Sequence, residues 1–347
     1  MTAEAQLNRA TADNHFRLGL LFAVTSALAF GSSGPFAKAL MESGWSPTAA
    51  VTARLAGGAV MMAVFAGIVR PGWIHEVLAH AKTVIGYGLI PIAGAQLCYY
   101  NAVAHLSVGV ALLLEYTAPI LVVGWIWATT RHRPSAMTFG GVAVAIAGIV
   151  LVLDVFSGAE INVTGVAWGL AAAVCAACYF MMSNQAGADG DGFSPISLAA
   201  GGLIIGTAAV AFLGVAGVMP LTFTTNPVTL AGHTTAWLVP VIALGLIPTA
   251  LAYTLGIVGI ARLQPRFASL VGLSEVLFAV LIAWIMLGEA MSVSQAIGGA
   301  VVLAGLAVAR QGDRSEQANP EADAATQVEL ATWPDLALQE TTDQAND

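Results

Sequence analysis

Charge is scarce in this chain: 12 Lys and Arg and 20 Asp and Glu among 347 residues, or 9%, against 58% hydrophobic residues. Soluble globular domains carry about 25% charged residues, so a water-soluble fold is excluded at the outset. Cysteine is nearly absent. Cys98, Cys175 and Cys178 all fall in apolar stretches, which leaves no disulfide framework. Cys175 and Cys178, spaced i, i+3 with no histidine beside them, read as small residues at a helix contact rather than as a metal or redox pair. The six histidines, His15, His75, His80, His105, His132 and His233, lie in tails, loops or span ends, which argues against an intramembrane metal site. There is no P-loop, nucleophile elbow or HExxH, so neither ATP hydrolysis nor proteolysis has a motif behind it. No catalytic residues, cofactor, metal or nucleic-acid partner is expected. The first sixteen residues are polar and no cleavage motif follows the first apolar stretch, so no signal peptide is expected.

What the chain has in abundance is apolar length. A helix crossing about 30 Å of hydrocarbon needs about 20 apolar residues. Ten such stretches are present, near 18–40, 47–69, 84–104, 107–128, 136–155, 164–183, 195–219, 235–258, 265–287 and 293–310. The net charge of −8 comes mainly from one place: the segment from Gln311 to the end holds nine acidic residues and one basic residue. That segment, 311–347, reads as a disordered acidic tail. Ten of the twelve basic residues fall on one face, in the loops and tails at Arg9, Arg17, Arg70, Lys82, Arg131, Arg133, Arg262, Arg266, Arg310 and Arg314. By the positive-inside rule this face and both termini are cytoplasmic. The bilayer is therefore the expected environment, with residues 1–16 a cytoplasmic N-terminal tail.

Gly88-Leu89-Ile90-Pro91 recurs as Gly245-Leu246-Ile247-Pro248, and the offset of 157 residues then pairs Ala104 with Ala261, Leu106 with Leu263, Trp127 with Trp284, Gly141 with Gly298 and Gly148 with Gly305. Each copy holds five spans, an odd number, so the second enters the membrane from the opposite side. The expected fold is an all-α integral membrane protein of ten transmembrane helices in two inverted five-helix repeats, 17–156 and 163–310. Such duplications are the usual architecture of secondary transporters. Pro91 and Pro248 are expected to kink both third helices at matched depth. Glycines at these spacings permit close helix approach, while Trp45, Trp73, Trp127, Trp237 and Trp284, near span ends, read as interfacial anchors.

A charge at membrane depth costs about 2.5 to 3.5 kcal/mol on insertion scales and marks a functional candidate. Arg54, Glu115 and Glu275 meet that criterion. The two glutamates sit on repeat-related spans three residues apart in register, placed to bind a cationic group or a proton; alternatively each satisfies donors at a helix break, Glu115 beside Tyr116, Thr117 and Pro119, Glu275 beside Ser274. Arg54 either neutralises one carboxylate or holds an anionic substrate group in a bidentate fork. Gln96, Tyr99, Tyr100 and Asn101 interrupt the third span and Tyr253 occupies the position of Gln96 in the eighth, so a wet cavity is the economical partner for their polar groups. Lys38 is near enough to a span end to snorkel to the surface. The candidate substrate-binding or coupling set is Arg54, Gln96, Tyr99, Tyr100, Glu115, Tyr116, Tyr253, Ser274 and Glu275.

These residues carry a resemblance. AFGSSGPFAKAL in the first span and SEVLFAVLIAWIMLGEAMS from Ser274 resemble the drug/metabolite transporter superfamily, EamA type, with Val276 replacing the usual proline. In the first half, EYTAPILVVGWIWATTRHRP keeps Pro119 and has His132 in the place of Glu289. LLLEYTAP, TTRHRPS and ACYFMMSNQAG are most similar to the threonine/homoserine exporter branch. The resemblance implies alternating-access export of a small polar metabolite or amino acid, with coupling to protons, by a monomer or homodimer. Uptake, export of lipophilic cations, and an integral-membrane enzyme acting on lipid-linked substrates stand as alternatives.

Overall fold

The computed structural model describes residues 3–131, 133–153, 162–188, 193–252, 255–256 and 265–318. Two helices, α1 (Ala3–Gly31) and α2 (Ser33–Glu42), form the first span, broken at Ser32 where Pro35 supplies no N–H to the new first turn. The second span is α3 (Pro47–Val69). A short helix, α4 (Trp73–Ala79), then turns by 91° into the third span, α5 (Ala81–Tyr87), a π-helical turn (Gly88–Gly94) and α6 (Ala95–His105). The fourth span breaks into α7 (Val108–Glu115) and α8 (Ala118–Thr130), and α9 (Ala136–Val152) ends the first half. The second half runs α10 (Val163–Ala188), α11 (Pro195–Val215), α12 (Leu238–Gly245) with a π-helical turn (Leu246–Leu251), α13 (Pro265–Leu287) and α14 (Val293–Ala318). By length and composition among the described residues, five helices suffice to cross a membrane, a sixth does so as the bent third span, and four shorter apolar helices, Ala136–Val152, Val163–Tyr179, Leu238–Leu251 and Val271–Leu287, complete the set. The fold is an all-α, multi-pass membrane bundle with a duplicated unit. Large side chains such as Ile68 and Val215 are 76% and 81% exposed; in a bilayer they meet acyl chains rather than water.

Glycine contacts display the inversion. A Cβ built on Gly148 of α9 would lie 2.6 Å from Val302 N and 2.9 Å from Gly298 O of α14, and one on Gly298 would lie 2.6 Å from Val152 N. One built on Gly141 would lie 2.6 Å from Gly305 O. Gly141 and Gly148 are the repeat equivalents of Gly298 and Gly305, so each glycine meets the counterpart of the other. That exchange requires an antiparallel crossing about a two-fold axis lying across the helices. The second and third helices obey the same rule: Gly58 abuts Thr249 of the other half, and Gly206 abuts Ile92, which is the equivalent of Thr249. Small residues let these backbones approach, which in lipid supplies van der Waals contact where no hydrophobic drive exists between helices.

The matched prolines produce π-helical turns around Pro91 and Pro248 rather than simple kinks. Thr249 Oγ1 bonds Leu244 O at 3.0 Å and Ser26 Oγ of α1 donates to Ala252 O at 2.7 Å, so carbonyls loosened near the turn find donors inside the bundle. Serines cap three helices: Ser46 accepts from Ala49 N, Ser135 from Thr138 N and Ser194 from Ile196 N.

Three expectations change. The third span does not stand alone, because α4 is folded across the bundle end by the 91° bend and held by Glu76, whose carboxylate accepts from Ser197 Oγ at 2.6 Å and pairs with Arg70 at 3.2 Å. The eighth span starts at Leu238, because the residues before it form an antiparallel hairpin of β1 (Val228–Leu230) and β2 (His233–Thr235) turned through Ala231 and Gly232, both at positive φ. Trp45 is not an interfacial anchor. It is 5% exposed, its Nε1 donates to Thr224 O at 2.9 Å, and Phe223 and Trp237 pack on it under this hairpin. Trp127 and Trp284 stay 43% and 59% exposed, as anchors would.

Candidate functional site

Between the halves, polar side chains from both converge. Arg54 of α3 is 6% exposed. Its Nη1 donates to Gln96 Oε1 and lies 3.4 Å from Tyr100 Oη, and the guanidinium carbon stands 5.8 Å from the centre of the Tyr100 ring. Tyr100 is itself fully buried and its hydroxyl is 3.0 Å from Ser33 Oγ, just past the break between α1 and α2. Tyr99, 4% exposed, packs beside Tyr100 with ring centres 5.7 Å apart. The guanidinium is thus oriented by a neutral amide and a phenol on α6 and by the face of an aromatic ring, a geometry that fixes its fork.

The carboxylates lie on the helices that follow. Glu115 ends α7, at the break that Pro119 and Thr117 impose, where Thr117 Oγ1 donates to Leu114 O at 2.7 Å. The break beside Glu115 forms as the residues suggested. Among the described residues the Glu115 carboxylate makes no hydrogen bond, and it lies within electrostatic reach of Glu275 and Arg54. Glu275 sits in the continuous helix α13, where Val276 keeps the backbone N–H that a proline would remove and leaves the helix unbroken. Its Oε2 accepts from the hydroxyl of Tyr116 at 2.7 Å, a bond that crosses from one half to the other; the same hydroxyl is 3.0 Å from Gly272 O. A Cβ on Gly31 would stand 3.0 Å from Glu275 O, and one on Gly169 would stand 2.7 Å from a methyl of Leu114, so the first helix of each half presses a glycine against the carboxylate-bearing helix of the other.

The structure therefore brings together Arg54, Gln96, Tyr99, Tyr100, Glu115, Tyr116 and Glu275. Ser274 is not part of this set: its hydroxyl turns back to Val271 O at 2.6 Å, within its own helix. Asn101 likewise bonds Leu97 O at 2.7 Å instead of facing a cavity. Tyr253 lies outside the described residues. Ser33 belongs to the cluster and sequence reasoning missed it; the signal available was the Ser32-Ser33-Gly34-Pro35 helix break facing the third span. Lys38 does not snorkel. Its ammonium pairs with Glu289 and donates to Leu106 O at 3.0 Å, because a partner carboxylate and a free helix-terminal carbonyl are nearer than the surface.

Comparison with known proteins agrees with this architecture. The sequence profile of the EamA-like transporter family matches the chain twice, over residues 17–154 and 163–310. The chain is 28% identical over 294 residues to the threonine/homoserine exporter RhtA of Salmonella typhimurium (strain SL1344), covering 83% of this chain and 88% of that protein. It is 28% identical over 260 residues to the threonine/homoserine exporter RhtA of Escherichia coli (strain K12), covering 73% and 78%. An uncharacterized transporter of Archaeoglobus fulgidus is 26% identical over 271 residues, covering 76% and 91%. One crystal structure superposes with a TM-score of 0.54 at 22% identity, over 84% of this chain and 98% of the other, which shows a shared fold.

Proposed function

The chain belongs to the EamA-like transporter family, and on that premise we propose that it exports an amino acid of the threonine or homoserine kind across the bacterial cytoplasmic membrane. It is a multi-pass membrane transporter and not an enzyme. In the proposed orientation both termini are cytoplasmic, and the two halves, 17–156 and 163–310, rock about the site in alternating access. The observation that carries the reading is Glu115: a partly buried carboxylate with no hydrogen-bond donor among the described residues, near the buried guanidinium of Arg54. A carboxylate left so is costly until a cationic group or a proton arrives. An α-amino acid supplies an ammonium for Glu115 and a carboxylate for the Arg54 fork, which Gln96 and Tyr100 hold in place. Glu275, tied to Tyr116 across the halves, senses occupancy and couples it to protons.

The identity of the named relatives supports an amino acid as substrate. Two carboxylates against one arginine also suit a lipophilic cation, and cells lacking the protein separate the readings by their sensitivity to threonine or to cationic dyes. The direct test is efflux of labelled threonine from proteoliposomes. Glu115→Gln and Arg54→Ala, inserted at equal abundance, are expected to lose at least about tenfold in rate, on the order of the 1.4 kcal/mol that one such interaction contributes. Parent-like rates in both would overturn the site.

A further inference from the structure

The bundle end opposite Arg17 is closed over the site by contacts between the halves. Ser46 N donates to Thr222 O at 3.1 Å, and Thr224 Oγ1 and Asn226 Nδ2 donate to Ser43 O. Most of these are neutral bonds. One contact is ionic: Lys38, on α2, with Glu289, in the turn between α13 and α14. Gly288, at φ 72, ends α13 in the left-handed conformation and turns the chain so that Glu289 folds back.

The pair is seated on the junction between α6 and α7. Lys38 Nζ donates to Leu106 O, at the C-terminal end of α6, and Glu289 Oε2 accepts from Val108 N, the first amide of α7, at 3.1 Å. A cation thus meets the negative end of one helix and an anion the positive end of the next. Each side chain is about four-fifths covered, 18% and 19% exposed. Ser107 occupies the N-cap position of α7 in extended conformation, yet its buried hydroxyl has no hydrogen-bond partner. Serine is among the residues preferred at this position, where its hydroxyl accepts from an amide of the first turn. A second cap for α7 is therefore in place for a state in which Glu289 has left. Glu42, one turn along α2, offers Lys38 a second carboxylate. Lys38 and the first turn of α7 thus each have a second partner when the latch opens.

We infer that Lys38 and Glu289 form the outer gate of the transport path, an ionic latch that joins the halves in the state closed to the outside and breaks when the site opens outward. The inference rests on the alternating-access reading and on the orientation proposed above. The repeat does not carry this ion pair to the inner face, because the repeat position of Glu289 is His132. An exporter built so rests closed outside, with its site offered to the cytoplasm.

The test uses the full chain with Cys98, Cys175 and Cys178 replaced by serine and Ser33→Cys as reporter, since Ser33 lies on α2 one turn inside the latch and touches Tyr100. A membrane-impermeant maleimide is added to right-side-out and to inside-out vesicles. With the latch intact, labelling is expected from the inside face only. Glu289→Gln is expected to raise labelling from the outside by about tenfold and lower it from the inside. Lys38→Gln/Glu289→Gln, which leaves no unpaired charge and so tolerates the buried site, is expected to do the same. Inside labelling with no rise from the outside in the double variant overturns the gate and leaves the site standing. Labelling from neither face in any variant overturns the location of the path, and the gate with it.

Discussion

Gly148 offers a measurement of how much the close crossing of α9 and α14 contributes. Replacing it with alanine places a Cβ 2.6 Å from Val302 N and 2.9 Å from Gly298 O. Ordinary contact begins at 3.4 Å, so the two backbones must part by roughly 0.8 Å, a gap that forfeits a quarter to a half of each van der Waals well. With wells of about 0.1 to 0.2 kcal/mol and on the order of forty atom pairs across the crossing, the loss is about 1 to 4 kcal/mol. Alanine also improves helix propensity by up to about 1 kcal/mol, so a control that receives the same gain is needed. Gly140 supplies it: it lies on the same helix, and nothing stands within 4 Å of its Cβ position. Purified Gly148→Ala is expected to melt roughly 2 to 8 °C below Gly140→Ala in detergent, taking about 2 °C per kcal/mol for a protein of this size. Gly298→Ala, its partner across the crossing, should match it, and the double variant should cost less than the sum, because one separation accommodates both methyls. Equal melting of Gly148→Ala and Gly140→Ala would refute the crossing.

Tyr116→Phe removes the hydroxyl that bonds Glu275 at 2.7 Å. A hydrogen bond to a charged group contributes about 1.5 to 3 kcal/mol, so export should fall about tenfold or more with unchanged yield of folded protein; an unaltered rate speaks against a role for the crossing bond. Gln96→Leu unseats the Arg54 fork without touching its charge and is expected to raise KM for threonine about tenfold; a lowered kcat with KM intact would place Gln96 elsewhere in the cycle. At the cytoplasmic end in the proposed orientation, the Ser197 hydroxyl, aided by Ser194 N–H and Arg70, holds the Glu76 carboxyl below the ordinary glutamate value of 4.5. A depressed carboxylate contributes above that value and loses its contribution as pH falls through the folded-state value. Amide exchange in α4 should therefore quicken on acidification below about pH 4.5, relative to its intrinsic rate, in the parent and not in Glu76→Gln.

The scaffold was legible in the sequence because it is written twice. Gly148 with Gly298, Gly141 with Gly305, and the prolines of the two π-helical turns sit at one offset, and a two-fold contact between equivalents follows from that offset and the odd number of spans. The second helices escaped this register because theirs is different: Trp45-Ser46-Pro47 recurs as Phe193-Ser194-Pro195 at an offset of 148, with Ser46 and Ser194 both capping and both prolines opening the helix. With that offset Arg54 corresponds to Gly202, and with the offset of 157 Glu115 corresponds to Gly272. Two of the site's charges are thus departures from the repeat, each a charged group where the other half has a glycine. Which departures meet was another matter. Membrane cost singled out Arg54, Glu115 and Glu275 because a charge in lipid is exceptional wherever it sits. It could not place Ser33 on Tyr100, 67 residues away, or Lys38 on Glu289, since a hydroxyl is cheap and a lysine near a span end has water as an alternative partner. Periodicity reports the faces that helices bury against one another. The contacts that hold a guanidinium in place or close a bundle end join residues remote in the chain, with no repeated spacing to announce them.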